Sequence, residues 1–513
     1  MFVVRCSRDV HDMKRSVVPR AGAGKPRVRP ADSCISPARA VPVTLMKFLW
    51  IGALALFACS SSWAGESPIW RGPVSGAVTP EGAWIKAKLR TNGASARLLV
   101  SHTVELAAPQ FFGPDTAVTE RGQLVEFRPA GLEPNTQYFY GLEVNGVLQL
   151  DKRGAFKTFP PADQPASFNF AFASCGRTGS ASPVYATIRE LRPLFYVNAG
   201  DLHYENITTN NRTLFRIAFD KVLASPTQSA LYRAVPFVYV WDDHDFGGNN
   251  SNRKASSHGA ARRTYEEYIP HYPFVVPAED GPIGHTFTVG RVKFIVTDLR
   301  SERDEAKKPD GPGKTMLGAP QKAWFKNELL ATRGKYPLIF WVSSVPWLGA
   351  AGVNYYPING NVTGFIHHTN AWQFKRDPAT AEDNRNVRND DDFWGAFAFE
   401  RNEIANFIRD QKITGLCILH GDAHMLAADD GSHSDFATGG GAPVPVLCAA
   451  PLDQSSSIKG GPYSQGVYKA HPKEGCFGYV QVRDEGGKIE VRFSGRNQFN
   501  EEKISLKFSV PTP

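Results

Sequence analysis

Apolar and polar residues follow two rhythms along this chain. From 67 to 160 the segments AWIKAKL, ARLLVSHT, QLVEFRP, TQYFYGLEV and GAFKTF alternate on a period of two, with Gly, Pro and Asn turns between them. Such alternation covers one face of a strand and leaves the other wet, so this stretch predicts a small all-β sandwich domain. PPADQPAS, residues 160–167, reads as a linker. From 168 on, FNFAFASC, LFYVNAGD, VPFVYVWDD, VKFIVTD, PLIFWVSS and GLCILHGD are continuous apolar runs, as expected of strands buried on both faces. SPVYATIRELRP, APQKAWFKNELLAT and ERNEIANFIRDQ carry apolar residues at helical spacing. Strands alternating with helices predict an α/β domain with packed sheets over 168–513.

Several of these runs end in the same way. FNFAFAS stops at Cys175, and LFYVNAG at Asp201 with His203, Tyr204 and Glu205 just after. VPFVYVW stops at Asp242, Asp243, His244 and Asp245. VKFIVT stops at Asp298, ahead of Arg300 and Arg303, and GLCILHG at Asp422, ahead of His424. Ligands of open α/β sheets bind beyond the carboxyl ends of strands. A single Asp after a strand is ordinary capping. A thiol, a phenol, imidazoles and many carboxylates on successive tips predict one crevice. Carboxylates brought together repel, and a cation relieves the repulsion.

Charge and composition narrow the picture. The formal net charge of +8 suggests a basic protein, but residues 1–64 hold ten Lys/Arg and three Asp/Glu of the 58 and 50 in the chain. The remainder is 48 against 47, about +1, which removes the case for nucleic-acid binding. MKFLWIGALALFACSSSWAGES, from Met46, has a lysine, a short apolar run and small residues. It reads as a secretory signal peptide cleaved after Ala64, and Met46 as the true start. An uncleaved anchor and a lipoprotein site at Cys59 are the alternatives. The mature chain is then exported, periplasmic or secreted, with no membrane-spanning segment. Of seven cysteines, Cys175, Cys417, Cys448 and Cys476 follow the leader. Cys448 and Cys476 are plausible disulfide partners in an oxidising compartment, and Cys417 a core residue.

The tips also carry recognisable motifs. GDLHYE (Gly200 to Glu205) and HGDAHM (His420 to Met425) resemble the GD-x-x-Y-E and GD-x-H elements of metallophosphoesterases. WDDHDFGGN (Trp241 to Asn249) takes the place of their Gly-Asn-His-Asp/Glu segment, and SCG, TDLRSER and GAPQKAWF complete the set. In this order they resemble the PhoD-like alkaline phosphatase D family from about residue 67 onward, as that family also begins with a small β-sandwich. GLEPNTQYFYGLEVNG (131–146) fits its fibronectin type III-like corner. The resemblance implies a metallophosphoesterase αββα sandwich and an exported enzyme that hydrolyses phosphomonoesters or phosphodiesters with metal-activated hydroxide. It implies Cys175, Asp201, Tyr204 and His424 around a ferric ion, with Asp201 bridging to a calcium held by Asp243, Asn249 and Asp422. Thiolate and phenolate suit iron and hard oxygens suit calcium; other divalent metals stay open. The family's twin-arginine signal is missing, since no paired arginines precede the apolar run at 48–58.

Other roles follow from the residues. His244 is the candidate acid, oriented by Asp245 through a ring nitrogen, with a purely structural histidine as the alternative. Arg300 and Arg303 either grip phosphate oxygens or form salt bridges with Glu302, Asp304 or Asp298. Cys175 as an attacking thiolate is a rival to metal ligation. His367 and His368, adjacent on a long loop from about 349 to 395, are expected at the mouth, and the family resemblance, through a similar Asp-x-Trp segment in NDDDFWGAF (Asn389 to Phe397), implies that Trp394 walls the pocket. The rival functions are a phospholipase- or polymer-directed hydrolase on the same centre and a non-catalytic binder of surface polymers. Small-molecule or polymeric phosphate esters are the expected partners.

Overall fold

The computed structural model describes residues 66–350, 353–357, 364–366, 372–376 and 392–512. The leader with its signal peptide, the His367–His368 pair and the start of NDDDFWGAF lie outside the described residues. Among the described residues no helix is long and apolar enough to cross a membrane.

Two large sheets face each other. The first has nine strands in the order Glu502–Pro511, Lys488–Asn497, Cys476–Asp484, Phe168–Ala173, Tyr196–Ala199, Phe237–Val240, Ile69–Thr79, Gly82–Leu89 and Leu124–Phe127. The second has eight, in the order His285–Val289, Val292–Val296, Leu338–Ser343, Leu416–His420, Val446–Ala449, Leu426–Asp429, Val467–Lys469 and Gly364–Ile366. Phe168–Ala173, Tyr196–Ala199 and Phe237–Val240 run parallel. So do Val292–Val296, Leu338–Ser343, Leu416–His420 and Val446–Ala449. These are the unbroken apolar runs of the sequence, and parallel order brings the carboxyl ends within each sheet out at one edge.

Phenylalanines fill the space between the sheets. Phe170 lies edge-on to Phe294 and Phe340, with ring centroids 5.4 and 5.2 Å away. The helix Ala319–Thr332 packs Phe325 and Leu329, and Ala398–Asp410 packs Ile404 and Ile408, with Ile295, Trp341 and Ile418 of the second sheet. Helices Val184–Glu190 and Pro226–Ala234 lie against strands Cys476–Asp484 and Ile69–Thr79 of the first. The fold is α/β.

The N-terminal strands form a smaller sheet in the order Gln110–Thr116, Ser95–Ser101, Gln137–Val144, Val147–Leu148, with Gly154–Lys157 also on Gln137–Val144. Ile69–Thr79, however, pairs in parallel with Phe237–Val240 and carries the first sheet into the N-terminal segment. PPADQPAS is tied down: Asp163 N–H donates to Gly290 at 3.1 Å and Ala166 N–H to Asp484 at 3.3 Å. Among the described residues hydrogen bonds thus cross the boundary expected between 67–160 and 168–513, and the described residues from 66 onward fall in one compact unit.

The expected Cys448–Cys476 disulfide is corrected: all four described cysteines are buried and free. Cys448 lies in the second sheet, where its thiol donates to Met425 O at 3.3 Å, whereas Cys476 begins a strand of the first.

Candidate metal centre

Four strand tips converge on Asp201. Tyr204 Oη donates to Asp201 Oδ2 at 2.7 Å and lies 3.0 Å from His424 Nε2. Cys175 Sγ is 3.6 Å from the same carboxylate oxygen. His424 Nδ1 sits 2.6 Å from the Ser455 carbonyl, so Nδ1 carries the hydrogen and Nε2 turns its lone pair inward. The other Asp201 oxygen accepts from the His244 backbone N–H at 3.3 Å, which also reaches Asp243 Oδ1 at 3.0 Å. Candidate ligand atoms of Cys175, Asp201 and His424 lie within 4.8 Å of one another, as do those of Asp201, Asp243 and His244. Asp201 belongs to both groups. Asp422 Oδ1 accepts from Lys459 at 2.7 Å, while its buried Oδ2 has no hydrogen-bond partner among the described residues.

The backbone explains how short tips reach one point. Cys175, Asp201, Asp422 and His424 hold φ at 60, 56, 55 and 53°, in the left-handed region that a Cβ disfavours. Strain of this kind, of order 1–3 kcal/mol per residue, persists where surrounding structure enforces it. The glycines of the two GD pairs allow close approach. A Cβ on Gly200 would meet Asp242 Cβ at 2.4 Å, and one on Gly421 would meet Ser174 Oγ at 2.2 Å.

The electrostatics are those of an under-compensated anion cluster. Burial, then Asp243, Asp242 and Asp245, holds the Asp201 carboxyl well above the usual range. Burial pushes Asp242 up to about 8 against the pull of Arg300, and Asp245 up to about 7. Burial also opposes the charge of Asp243, but Arg300, His244 and the Asn250 N–H outweigh it and hold that carboxyl below its ordinary value. Burial, Asp201 and Asp422 raise the Cys175 thiol, so a free thiolate is disfavoured. Burial, Asp201 and Cys175 likewise raise Tyr204. Crowded carboxylates, an orphaned oxygen on Asp422 and a donor set of thiol, phenol, imidazole and carboxylate fit metal ions.

Several expectations are corrected. Asp245 does not orient His244. As the third residue of the short helix Asp243–Phe246 it turns inward, accepting from Tyr239 Oη, Leu202 N–H and Asp242 N–H at 2.5, 2.8 and 2.6 Å. The ring partner of His244 is Asn206, whose Oδ1 lies 2.6 Å from Nδ1. Arg300 is fully buried and committed to Asp242 and Asp392, with contacts of 2.6 and 2.7 Å, and Arg303 pairs with Asp392. Both arginines are salt-bridged, to partners other than those expected. Asn249 is exposed and lines a separate cavity of about 350 Å³ with Thr208 and Asn252. The backbone N–H of its neighbour Asn250 instead reaches Asp243 Oδ2, at 2.6 Å. Trp394 is core: fully buried, it donates to Ser343 Oγ at 3.1 Å and packs on Trp341 and Trp347. The sequence reading missed Asn206, Lys459 and the loop around Ser455, because they reach the centre from segments with no periodic or motif signal.

The family model described as PhoD-like phosphatase matches residues 170–493, more than half of the chain. Alkaline phosphatase D of Bacillus subtilis (strain 168) is 26% identical over 368 residues, covering 63% of this chain and 57% of its own length. The chain thus spans little more than half of that relative. A solved structure titled "Structure of PhoD" superposes with a TM-score of 0.66 at 19% identity, over 86% of this chain and 90% of that one, a likeness of fold. The chain belongs to the PhoD-like phosphatase family.

Proposed function

We propose that this chain is an exported, metal-dependent phosphoesterase acting on phosphomonoesters, phosphodiesters or both. The observation that carries the reading is the shared carboxylate: Asp201 belongs to two groups of candidate ligands at once. Cys175, Asp201, Tyr204 and His424 would hold iron, and Asp201, Asp243 and Asp422 a calcium-like ion. Bound there, such ions polarise phosphoryl oxygens and make hydroxide available near neutral pH. The chain's own groups do the rest. Asn206 fixes the His244 ring by its Nδ1, which frees Nε2 for the site. Burial, then partial compensation by Asp243 and Asp422, leaves the His244 pKa below its ordinary value. The ring is therefore neutral at rest, and an arriving phosphate anion favours its protonated, proton-donating form. The Tyr204 ring lies against it, with centroids 4.2 Å apart, and limits its rotation. We read the N-terminal strands as a fibronectin type III-like sandwich; the Glu133 N–H that donates to Tyr138 Oη at 2.9 Å supports a tyrosine corner there.

The test is metal content by plasma mass spectrometry on purified residues 65–513, with hydrolysis of p-nitrophenyl phosphate and its bis-ester, with and without calcium. Bound iron with calcium-stimulated turnover is expected, both lost in Cys175→Ser. A folded, reconstituted protein with neither metal nor turnover would replace this reading with a binding role for surface polymers.

A further inference from the structure

We propose that Lys459 is the residue that grips the substrate's phosphoryl oxygens and biases the site toward monoesters, an inference that rests on the phosphoesterase reading. A phosphate site needs cationic donors, and the two arginines that the sequence offers are consumed inside the fold. Arg300 and Arg303 are 0 and 1% exposed and are held by Asp242 and Asp392. Lys459 differs: its side chain is 36% exposed, and its ammonium lies on the candidate ligand Asp422 at 2.7 Å. Its charge also acts on Asp243, His244 and His424.

The loop that carries Lys459 is built onto the site. Ser455 O takes the His424 ring at 2.6 Å, Ser457 N–H donates to His424 O at 3.0 Å, and Ser457 Oγ to Ala423 O at 3.0 Å. After the lysine, Gly460 holds φ at 70°, and a Cβ there would meet Leu348 O at 2.6 Å. The backbone is thus pinned on both sides while a four-carbon stem leaves the ammonium free to swing. Asp422 keeps a second oxygen without a hydrogen-bond partner among the described residues, which could hold a metal ion while the ammonium stays at the edge of the centre, within its stem's swing of a phosphoryl group bound there. A lysine acts as a point charge, so it gains more from a monoester dianion than from a diester monoanion.

The experiment uses the metal-loaded protein with Lys459→Met and Lys459→Arg. Inorganic phosphate binding is measured by calorimetry, metal content by mass spectrometry, and kcat/KM on p-nitrophenyl phosphate and its bis-ester. In Lys459→Met, phosphate affinity is expected to fall about tenfold or more at unchanged metal content. The monoester is expected to lose about tenfold more kcat/KM than the diester, and Lys459→Arg to restore most of it. Unchanged phosphate affinity, or equal losses on both esters, would overturn the proposal. An additional metal ion in Lys459→Met would also overturn it, by showing that the ammonium stands in for a metal. Wild-type protein that hydrolyses neither ester would count against the phosphoesterase reading, and phosphate binding would still report on Lys459.

Discussion

Two strand tips that look alike in the sequence differ in what their charges meet. TDLRSER closes on itself. Asp298 accepts from Trp241 Nε1, Ile283 N–H, Arg300 N–H and Ser301 N–H at 2.9, 3.0, 2.9 and 3.1 Å, and from Ser301 Oγ at 2.6 Å. Its arginines turn to Asp242 and Asp392. GDLHYE stays open: Asp201 meets a phenol, a thiol, one backbone N–H and three further carboxylates that raise its pKa. The first tip spends its polar groups on the fold. The second leaves a surplus of negative charge that a ligand must balance. Ionisable residues at a strand end therefore signal chemistry only where the fold leaves them unmatched.

The largest expected effect tests that distinction. Asp201→Asn should lower turnover on the order of a thousand-fold or more and abolish metal retention. It should also raise the melting temperature of metal-free protein, because the lost charge was opposed by burial and by its neighbours. Asp298→Asn should do the reverse, lowering stability while metal content survives. Melting curves and metal analysis on both variants decide; the same outcome at both sites would erase the contrast. Next in size, Arg300→Ala leaves the buried Asp242 without its arginine and Asp392 with Arg303 alone, and should destabilise by about 3–5 kcal/mol. Chemical denaturation checks this, and kcat per folded molecule within about tenfold of wild type would separate the arginine from direct phosphate contact.

The closed tip also has a pH limit. His285 Nδ1 donates to Ile283 O at 3.0 Å, and the Ile283 N–H donates to Asp298, while His285 Nε2 is buried without a partner among the described residues. Burial, partly offset by that carbonyl, holds its pKa down at about 4. The unfolded chain therefore binds more protons than the native one between about 6.5 and about 4. The stability from neutral His285 is complete above the unfolded value and is lost as pH falls toward about 4. That amounts to about 3 kcal/mol at full effect. Denaturation at stepped pH should show a flatter acid limb for His285→Phe than for wild type.

Much of this was legible in the chain. Continuous apolar runs marked the parallel strands of both sheets, and strand direction decides where a tip emerges, which is why residues far apart in sequence, Cys175, Asp201 and His424 in one group and Asp201 and Asp243 in another, lie close together. Partner choice was not legible. Whether Arg300 faces phosphate or Asp392 depends on a residue 92 positions away in sequence brought beside it by folding. Asp245 was misread because a one-turn helix after the strand rotates successive side chains to opposite sides, so that His244 faces the site and Asp245 the core. The first sheet's extension into residues 69–127 was hidden because period-two alternation marks a strand without naming its neighbour.

The smallest expected effect lies on the open tip itself. Asn206 follows GDLHYE directly and holds φ at 51°, an orientation that sends its side chain back over the site. Its amide nitrogen donates to Tyr204 O at 3.1 Å, which fixes its oxygen on His244 Nδ1. The pair therefore sets the tautomer of His244 without touching substrate. Asn206→Ala should leave metal content and melting temperature near wild type and lower kcat about 10–100-fold, with KM little changed. Asn206→Asp keeps an acceptor at the same place and should recover most of kcat, with the alkaline limb displaced to higher pH because a carboxylate favours the imidazolium that donates the proton. Equal activity in Asn206→Ala and wild type would mean that the tilted Tyr204 ring alone holds His244, and that the open tip needs no second support.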